Sequence, residues 1–340
     1  FADAARDVLA DQCTPQVVRA IEEGGRTAEA TTDLWEQLEA TGLADALLSE
    51  DAGGAGLGLG QVFGVLEQCG AHALPLPLGE TMVARALLAQ AGVARPAGSI
   101  ALARGEHLAN GGLRCALVRS GQVAAAVLVQ TGTEWRLLNT ADAQGAAQAL
   151  ALDAALTWTA VQVQAAPAVE VNGALDVRTL QAAVVAAQMA GALKAVFDRT
   201  LQYANERQQF GRPIGKFQAI QHQLAVMSEH VFAARMAAQL GCSAGHDGMG
   251  VVPDRLRVAT AKARCSEAAL VVSELAHAIH GAIGFTEEYD LQLFTRRLHA
   301  WRQTAGSEAY WYGVAGEALL HHQGMTLDIV RRITDVDTVL

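Results

Sequence analysis

The sequence predicts a mainly α-helical protein with a small β-domain in its middle. Three observations support this fold class: long apolar-periodic stretches at both ends, a β-prone stretch with turn glycines between them, and an alanine-rich composition. Alanine is the strongest helix former, and short alternating segments bounded by glycine favour strands. We therefore expect a helical N-terminal domain over residues 1–95, a small antiparallel β-domain over 96–172 and a C-terminal four-helix bundle over 173–340.

The N-terminal domain is predicted to consist of helices joined by glycine-rich corners. Residues 53–60 are rich in glycine and lead into a helical pattern through Val62, Leu66 and Cys69. Such a segment could cradle a phosphate, but it lacks the Gly-x-Gly-x-x-Gly spacing and no strand precedes it. An interhelical loop is the better interpretation.

The middle region is predicted to form strands, because short β-prone segments alternate with turn glycines. The alanine-rich stretch 141–155 could be a loop or a short helix. The predicted strands cover residues 116–118, 123–129, 135–138 and 158–164.

The C-terminal region is predicted to hold four long helices with short connections, which is the pattern of an antiparallel bundle. Asp176 is a plausible N-cap of the first helix, whose residues up to Glu206 include one glycine, Gly191, and no proline. The four predicted helices cover residues 179–206, 217–240, 253–280 and 308–321.

A cation-rich corner joins the first two of these helices. Gly211 can close a helix in the left-handed conformation, and Pro213 prevents its continuation. The corner holds the guanidinium of Arg207 and the carboxamide of Gln218, groups suited to a pyrophosphate and a nucleotide. An isolated arginine in this place would more often only complement the helix dipole.

The whole corner closely resembles the Arg-x-x-Phe-Gly-x-Pro-Ile-x-x-Phe-Gln signature of the acyl-CoA dehydrogenase family. These are FAD flavoproteins that desaturate acyl-CoA thioesters. The resemblance implies that Arg207, Phe210 and Gln218 reach across a dimer interface to the FAD of the neighbouring subunit. It also implies the domain order of helices, small β-domain and four-helix bundle.

A second string, from His280 to Thr286, resembles the family's Gln-x-x-Gly-Gly-x-Gly-Phe turn, whose glycines let backbone amides approach the cofactor. The resemblance implies that Gly281 and Gly284 are cofactor-binding residues. Alanine replaces the family's glutamine and its second glycine, so a plain helix end at Gly281 is the alternative. Ser307 keeps a hydroxyl where the family has a cofactor-contacting threonine.

The catalytic base of the family has no counterpart at either position implied by the resemblance. The common position falls on Ala305 and the alternative position on Gln181, and neither side chain can remove an α-proton. Glu287 or Glu288, after the glycine turn, could serve instead. Residues 100–106 stand where the family has a loop that lies against the flavin ring, and they do not match it.

The resemblance implies α,β-desaturation of an acyl-CoA, with FAD as hydride acceptor and an electron-transfer flavoprotein as the next carrier. It implies a homodimer or homotetramer, or a heterotetramer with a homologous subunit. In the latter case the chain could be a non-catalytic subunit that completes the FAD site of a catalytic partner.

Composition argues against several other classes of protein. The formal net charge of −10 disfavours nucleic acid as a partner, and we expect no apolar run of membrane-spanning length. Five scattered cysteines without a Cys-x-x-Cys pair suggest reduced thiols and a cytoplasmic location. Glu274 and His277 have the spacing of a di-iron motif, but such a site needs two motifs and further glutamates, so no metal is predicted.

Overall fold

The computed structural model describes residues 1–150, 152–171, 175–243 and 252–335, with helices at both ends and strands between them. This architecture confirms the predicted fold class, whereas the domain limits given above stay predictions. The α-helices of the described residues are α1 Ala2–Gln12, α2 Pro15–Gly24, α3 Glu29–Ala40, α4 Phe63–Ala71, α5 Leu78–Gln90, α6 Ala160–Ala165, α7 Val177–Glu206, α8 Gln218–Cys242, α9 Arg255–His280, α10 Leu291–Gln303, α11 Glu308–His321 and α12 Thr326–Thr334. The strands are β1 Ile100–Arg104, β2 Glu106–His107, β3 Leu113–Val118, β4 Ala126–Thr131, β5 Glu134–Asn139, β6 Gln144–Ala147, β7 Ala154–Trp158, β8 Gln208–Gln209 and β9 Arg212–Pro213.

Two glycines allow the N-terminal helices to pack closely on the bundle. A Cβ atom on Gly70 of α4 would lie 1.8 Å from the backbone oxygen of Gln188 in α7. A Cβ on Gly191 of α7 would lie equally close, at 1.8 Å, to the backbone oxygen of Glu67 in α4. The two helix backbones therefore touch, and α7 is buried along most of its length.

All four predicted bundle helices are present, and the predicted N-cap of the first is confirmed. The Asp176 carboxylate accepts a hydrogen bond from the backbone N–H of Arg178 at 3.2 Å. A fifth helix, α10, packs on α7 and α9 and was not expected. Its apolar residues Leu291, Phe294, Leu298 and Trp301 are buried and recur at helical spacing, which is the signal that could have predicted it.

The β-domain consists of a three-stranded sheet in the order β1-β4-β5 and a four-stranded sheet in the order β2-β3-β7-β6. Most pairs are antiparallel as expected, but β1 runs parallel to β4, with Ile100 opposite Ala126. Strand β1 then continues through Gly105 into β2, so one segment connects the two sheets.

Two local predictions in the β-domain were wrong. Only Trp158 of the predicted strand 158–164 is in a strand, because Thr159 and Gln162 form a capping box that starts α6. The alanine-rich stretch 141–155 holds strand β6, which pairs with β7, rather than a loop or short helix alone.

Two helices are long and apolar enough to cross a membrane by length and composition, contrary to the expectation from the sequence. They are Val177–Glu206 and Arg255–Phe285, and 83% of the apolar window of the first is buried inside the protein. Both belong to the bundle, and core helices of bundles commonly have this composition.

The five cysteines are all free and buried. Burial raises the pKa of each thiol to about 12, as for Cys69 and Cys242. The thiolate form is therefore suppressed near neutral pH, which fits the expectation of reduced thiols.

Candidate functional site

The corner after α7 is a tight hairpin. Phe210 and Gly211 connect β8 to β9 and both have positive φ, 52° and 75°, as a two-residue type I′ turn requires. The backbone N–H of buried Ile214 donates to the carbonyl oxygen of Arg207 at 2.8 Å. The corner is thus fixed to the end of α7 by its backbone.

The three side chains that the sequence assigns to the cofactor point away from the chain that carries them. Phe210 is 92% exposed, and Arg207 and Gln218 are exposed as well. Over the ranges that the structure describes, the side chains of Arg207 and Gln218 make no hydrogen bond or ion pair. Gln218 also stands in the first turn of α8, at its positive end. The trio is free to bind another molecule.

The glycine turn lies at the same end of the bundle as this corner. The backbone carbonyl oxygen of Tyr203 accepts a hydrogen bond from the backbone N–H of Arg207 at 2.8 Å. The Tyr203 ring stacks on the His280 ring, with centroids 4.4 Å apart. Gly281 has a φ of 64°. Gly284 is buried, and a Cβ there would be 3.0 Å from the His280 Cβ. The structure therefore brings the two motifs together.

The two family base positions also come together, in a different place. Ala305 and Gln181 line one cavity of about 370 Å³ between the β-domain and the bundle. The carboxylate in its lining is that of Glu106, for which the sequence carries no local signal. Glu287 lies elsewhere, in a groove of about 600 Å³ beside Arg19.

A buried carboxylate stands behind Gln181 rather than in the cavity. The Gln181 amide donates to the Leu102 carbonyl at 3.1 Å and to Glu80 at 3.3 Å. Glu80 is completely buried, and burial raises the pKa of its carboxyl above the ordinary value although Arg119 opposes the shift. Gln181 is therefore held in place by two acceptors.

A buried lysine on the neighbouring helix α9 holds the turn that carries Ala305. Lys262 of α9 is fully buried, and its ammonium donates to Ser266 Oγ and to the carbonyl oxygens of Arg302 and Gly306, each at 3.0 Å. Burial lowers the pKa of Lys262 to about 7. Three acceptors use all three ammonium protons, so the protonated amine matches this turn.

Two further contacts fix the same turn. Ala305 has a φ of 58°, and its carbonyl accepts the Trp311 indole N–H at 3.1 Å. Arg302 donates through Nε to Glu308 at 2.9 Å across the turn. Ser307 is the N-cap of α11 without a capping hydrogen bond, so its hydroxyl remains available near the cavity.

The corner and the cavity lie at opposite ends of α7. Gln181 stands in the first turns of the helix and Arg207 directly follows its last residue. At 1.5 Å per residue the two positions are about 39 Å apart along the helix axis. One chain therefore presents two separated sites, one with an outward-facing Arg207 and one with the base positions.

Comparison with known proteins identifies the family. A model of the acyl-CoA dehydrogenase N-terminal domain matches residues 1–95, and one of the C-terminal domain matches residues 177–320. IpdE2, an acyl-CoA dehydrogenase of Mycolicibacterium smegmatis, is 31% identical over 298 residues, which cover 86% of this chain and 89% of IpdE2. The chain belongs to the acyl-CoA dehydrogenase family. The family consists of FAD-dependent oxidoreductases, and FAD is its cofactor.

Other proteins similar to this acyl-CoA dehydrogenase family member support the same assignment. FadE34 of Mycobacterium tuberculosis is 30% identical over 331 residues, although the match spans only 45% of FadE34. A solved Tcur3481–Tcur3483 steroid acyl-CoA dehydrogenase variant has 28% identity and a TM-score of 0.77, covering 94% of this chain and 96% of the other. The ChsE4–ChsE5 complex from Mycobacterium tuberculosis shares the fold, with a TM-score of 0.79 at 22% identity and coverage of 95% and 97%.

Proposed function

We propose that this chain is a subunit of a FAD-dependent acyl-CoA dehydrogenase that introduces an α,β double bond into an acyl-CoA thioester. The exposed corner carries this proposal, because Arg207, Phe210 and Gln218 match the family signature and have no polar partner in the described part of the chain. FAD, when bound, accepts the hydride from the substrate. We expect an electron-transfer flavoprotein to take the electrons onward.

The residues at the corner fit the nucleotide part of FAD on a neighbouring subunit. Arg207 offers a forked guanidinium for the pyrophosphate, and Gln218 offers a carboxamide at a positive helix end. Gly281 and Gly284 keep the adjacent backbone free of side chains. Because the cavity of the same chain is about 39 Å away along α7, the corner serves a flavin other than its own. The assembly is then a homo-oligomer or a heterotetramer with a homologous subunit.

A second candidate function is that of a non-catalytic subunit that completes the FAD site of a catalytic homologue. The observation in its favour is that Ala305 and Gln181 share one cavity and neither is an acid. Two similar solved structures carry names of paired proteins, Tcur3481–Tcur3483 and ChsE4–ChsE5.

Flavin bleaching separates these candidates. We expect acyl-CoA to bleach the flavin absorbance of the purified oligomer if the chain is part of a dehydrogenase. Bleaching with this chain as the sole protein supports the first candidate, and bleaching only after a family homologue is added supports the second. A flavin-loaded assembly that no acyl-CoA of any chain length reduces would contradict the proposal.

Restoring a carboxylate at Ala305 tests how much of the machinery is missing. General base catalysis contributes about 10² to 10⁴-fold, so even a poorly oriented Glu would give measurable flavin reduction if only the base were absent. Under the second candidate function we expect Ala305→Glu alone, and Gln181→Glu alone, to be inactive in the isolated chain, because residues 100–106 form strands in place of the flavin-side loop. Stopped-flow flavin reduction measures this, with Ala305→Gln as the isosteric control. Activity from Ala305→Glu without any partner would show that one residue separates this chain from catalysis.

A further inference from the structure

The cavity that holds the base positions is lined by three arginines and one glutamate. Arg104, Arg114 and Arg178 face it together with Glu106. Among residues 1–150, 152–171, 175–243 and 252–335, no side chain forms an ion pair or accepts a guanidinium hydrogen bond from any of the three arginines. The cavity lining therefore carries three cationic side chains and one carboxylate.

The local backbone structure explains why these charged residues line the same cavity. A Cβ on Gly105 would lie 2.7 Å from Val129 Cγ1, so glycine lets the chain pass tightly from β1 to β2 with Arg104 and Glu106 on either side. Glu106 is directly opposite Arg114 in the β2–β3 register. The guanidinium of Arg178 lies over the Tyr310 ring, 4.6 Å from its centroid, which restricts its position.

The unpaired state of these three arginines differs from that of several other arginines in the described part of the chain. Arg235 pairs with Glu67, Arg255 with Asp176 and Arg297 with Glu22. The net charge is −10, so acidic groups are plentiful. A cavity that keeps an excess of positive charge in an acidic protein attracts anions.

We infer that this cavity binds a small organic oxyanion through Arg104, Arg114 and Arg178. Carboxylate and phosphate groups each offer two neighbouring oxygens that a planar guanidinium fork can bind at once. A cavity of about 370 Å³ holds a small molecule rather than a macromolecule. This site requires no flavin and no catalytic base, so it can exist whether or not the proposed dehydrogenase function holds.

Calorimetric titration of the full chain with glutarate and with inorganic pyrophosphate tests the inference. We expect at least one probe to bind, with affinity that falls as salt rises. The double variant Arg104→Gln/Arg114→Gln should weaken binding about tenfold or more, since each lost guanidinium removes a charge-assisted contact. Glu106→Gln should tighten binding, because it removes the repelling carboxylate. Arg331→Gln, which replaces an exposed arginine outside the cavity, should bind as the wild type does.

The two probes identify the class of ligand. Binding of glutarate alone assigns a carboxylate-bearing ligand, and binding of pyrophosphate alone assigns a phosphate-bearing one. Failure of both probes to bind the wild-type chain would overturn the inference. So would binding that the double variant leaves unchanged while its circular dichroism and melting temperature match the wild type. Flavin content and bleaching play no part in this readout, so it fails or succeeds separately from the proposed function.

Discussion

Replacing Arg207 with alanine is expected to weaken FAD retention by the assembled oligomer about tenfold or more. A guanidinium facing a pyrophosphate makes charge-assisted hydrogen bonds worth about 1.5 to 3 kcal/mol, and alanine cannot replace them. The fold itself should change little, because the Arg207 side chain is exposed and pairs with no group in the described ranges. Flavin released on dialysis, measured by its fluorescence, gives the affinity.

The corner provides a matched control for this prediction. Lys216 is an exposed cation of the same corner at a variable position of the family signature. Lys216→Ala should therefore retain FAD as the wild type does. Unchanged flavin affinity in Arg207→Ala, together with a clear loss of thermal stability, would show that Arg207 acts only at the helix end.

The stability of the chain should depend on pH through Lys262. The pKa of its ammonium is lowered to about 7 by burial in the folded protein, whereas an unfolded lysine has a pKa near 10.4. Between these values the unfolded chain binds a proton that the folded chain does not, so the free energy of unfolding rises with pH. The expected slope is about 1.4 kcal/mol per pH unit, or roughly 5 kcal/mol over the window.

Lys262→Met isolates this contribution. Denaturant unfolding at several pH values should show the wild type gaining stability relative to the variant from about pH 7 to about pH 10, with a constant difference below pH 7. Lys194→Met serves as the control, because Lys194 is exposed and pairs with Asp198 on the surface. A wild-type-minus-Lys262→Met difference that does not change with pH would show that the ammonium stays charged across this range.

The corner was predictable from sequence because its determinants are local. The positive φ of Gly211, the end of α7 and the outward position of Gln218 all follow from residues within one short stretch. The same holds for the Asp176 cap. In contrast, the prediction of a strand over residues 158–164 was wrong, because a capping box between Thr159 and Gln162 outweighed the β-branched residues around it.

The cavity could not be predicted, because its residues meet only through tertiary packing. Gln181 and Ala305 are far apart in sequence, and the distance between them depends on how α10 packs against α7 and α11 against α9. A lysine in an alanine-rich helix is ordinarily exposed, so the complete burial of Lys262 has no local signal. The sequence likewise does not indicate that Arg104 and Arg114 line one cavity, because tertiary packing forms that cavity.

The most direct test is to follow flavin absorbance and molecular mass together in size-exclusion chromatography of the flavin-loaded protein, alone or with a family homologue, at decreasing concentration. If Arg207 and Gln218 hold the FAD of a neighbouring subunit, flavin elutes with a dimer or larger species and is lost as that species dissociates. Arg207→Ala should lose it at higher protein concentration than the wild type. A monomer of this chain that retains a full complement of FAD would contradict the shared flavin site.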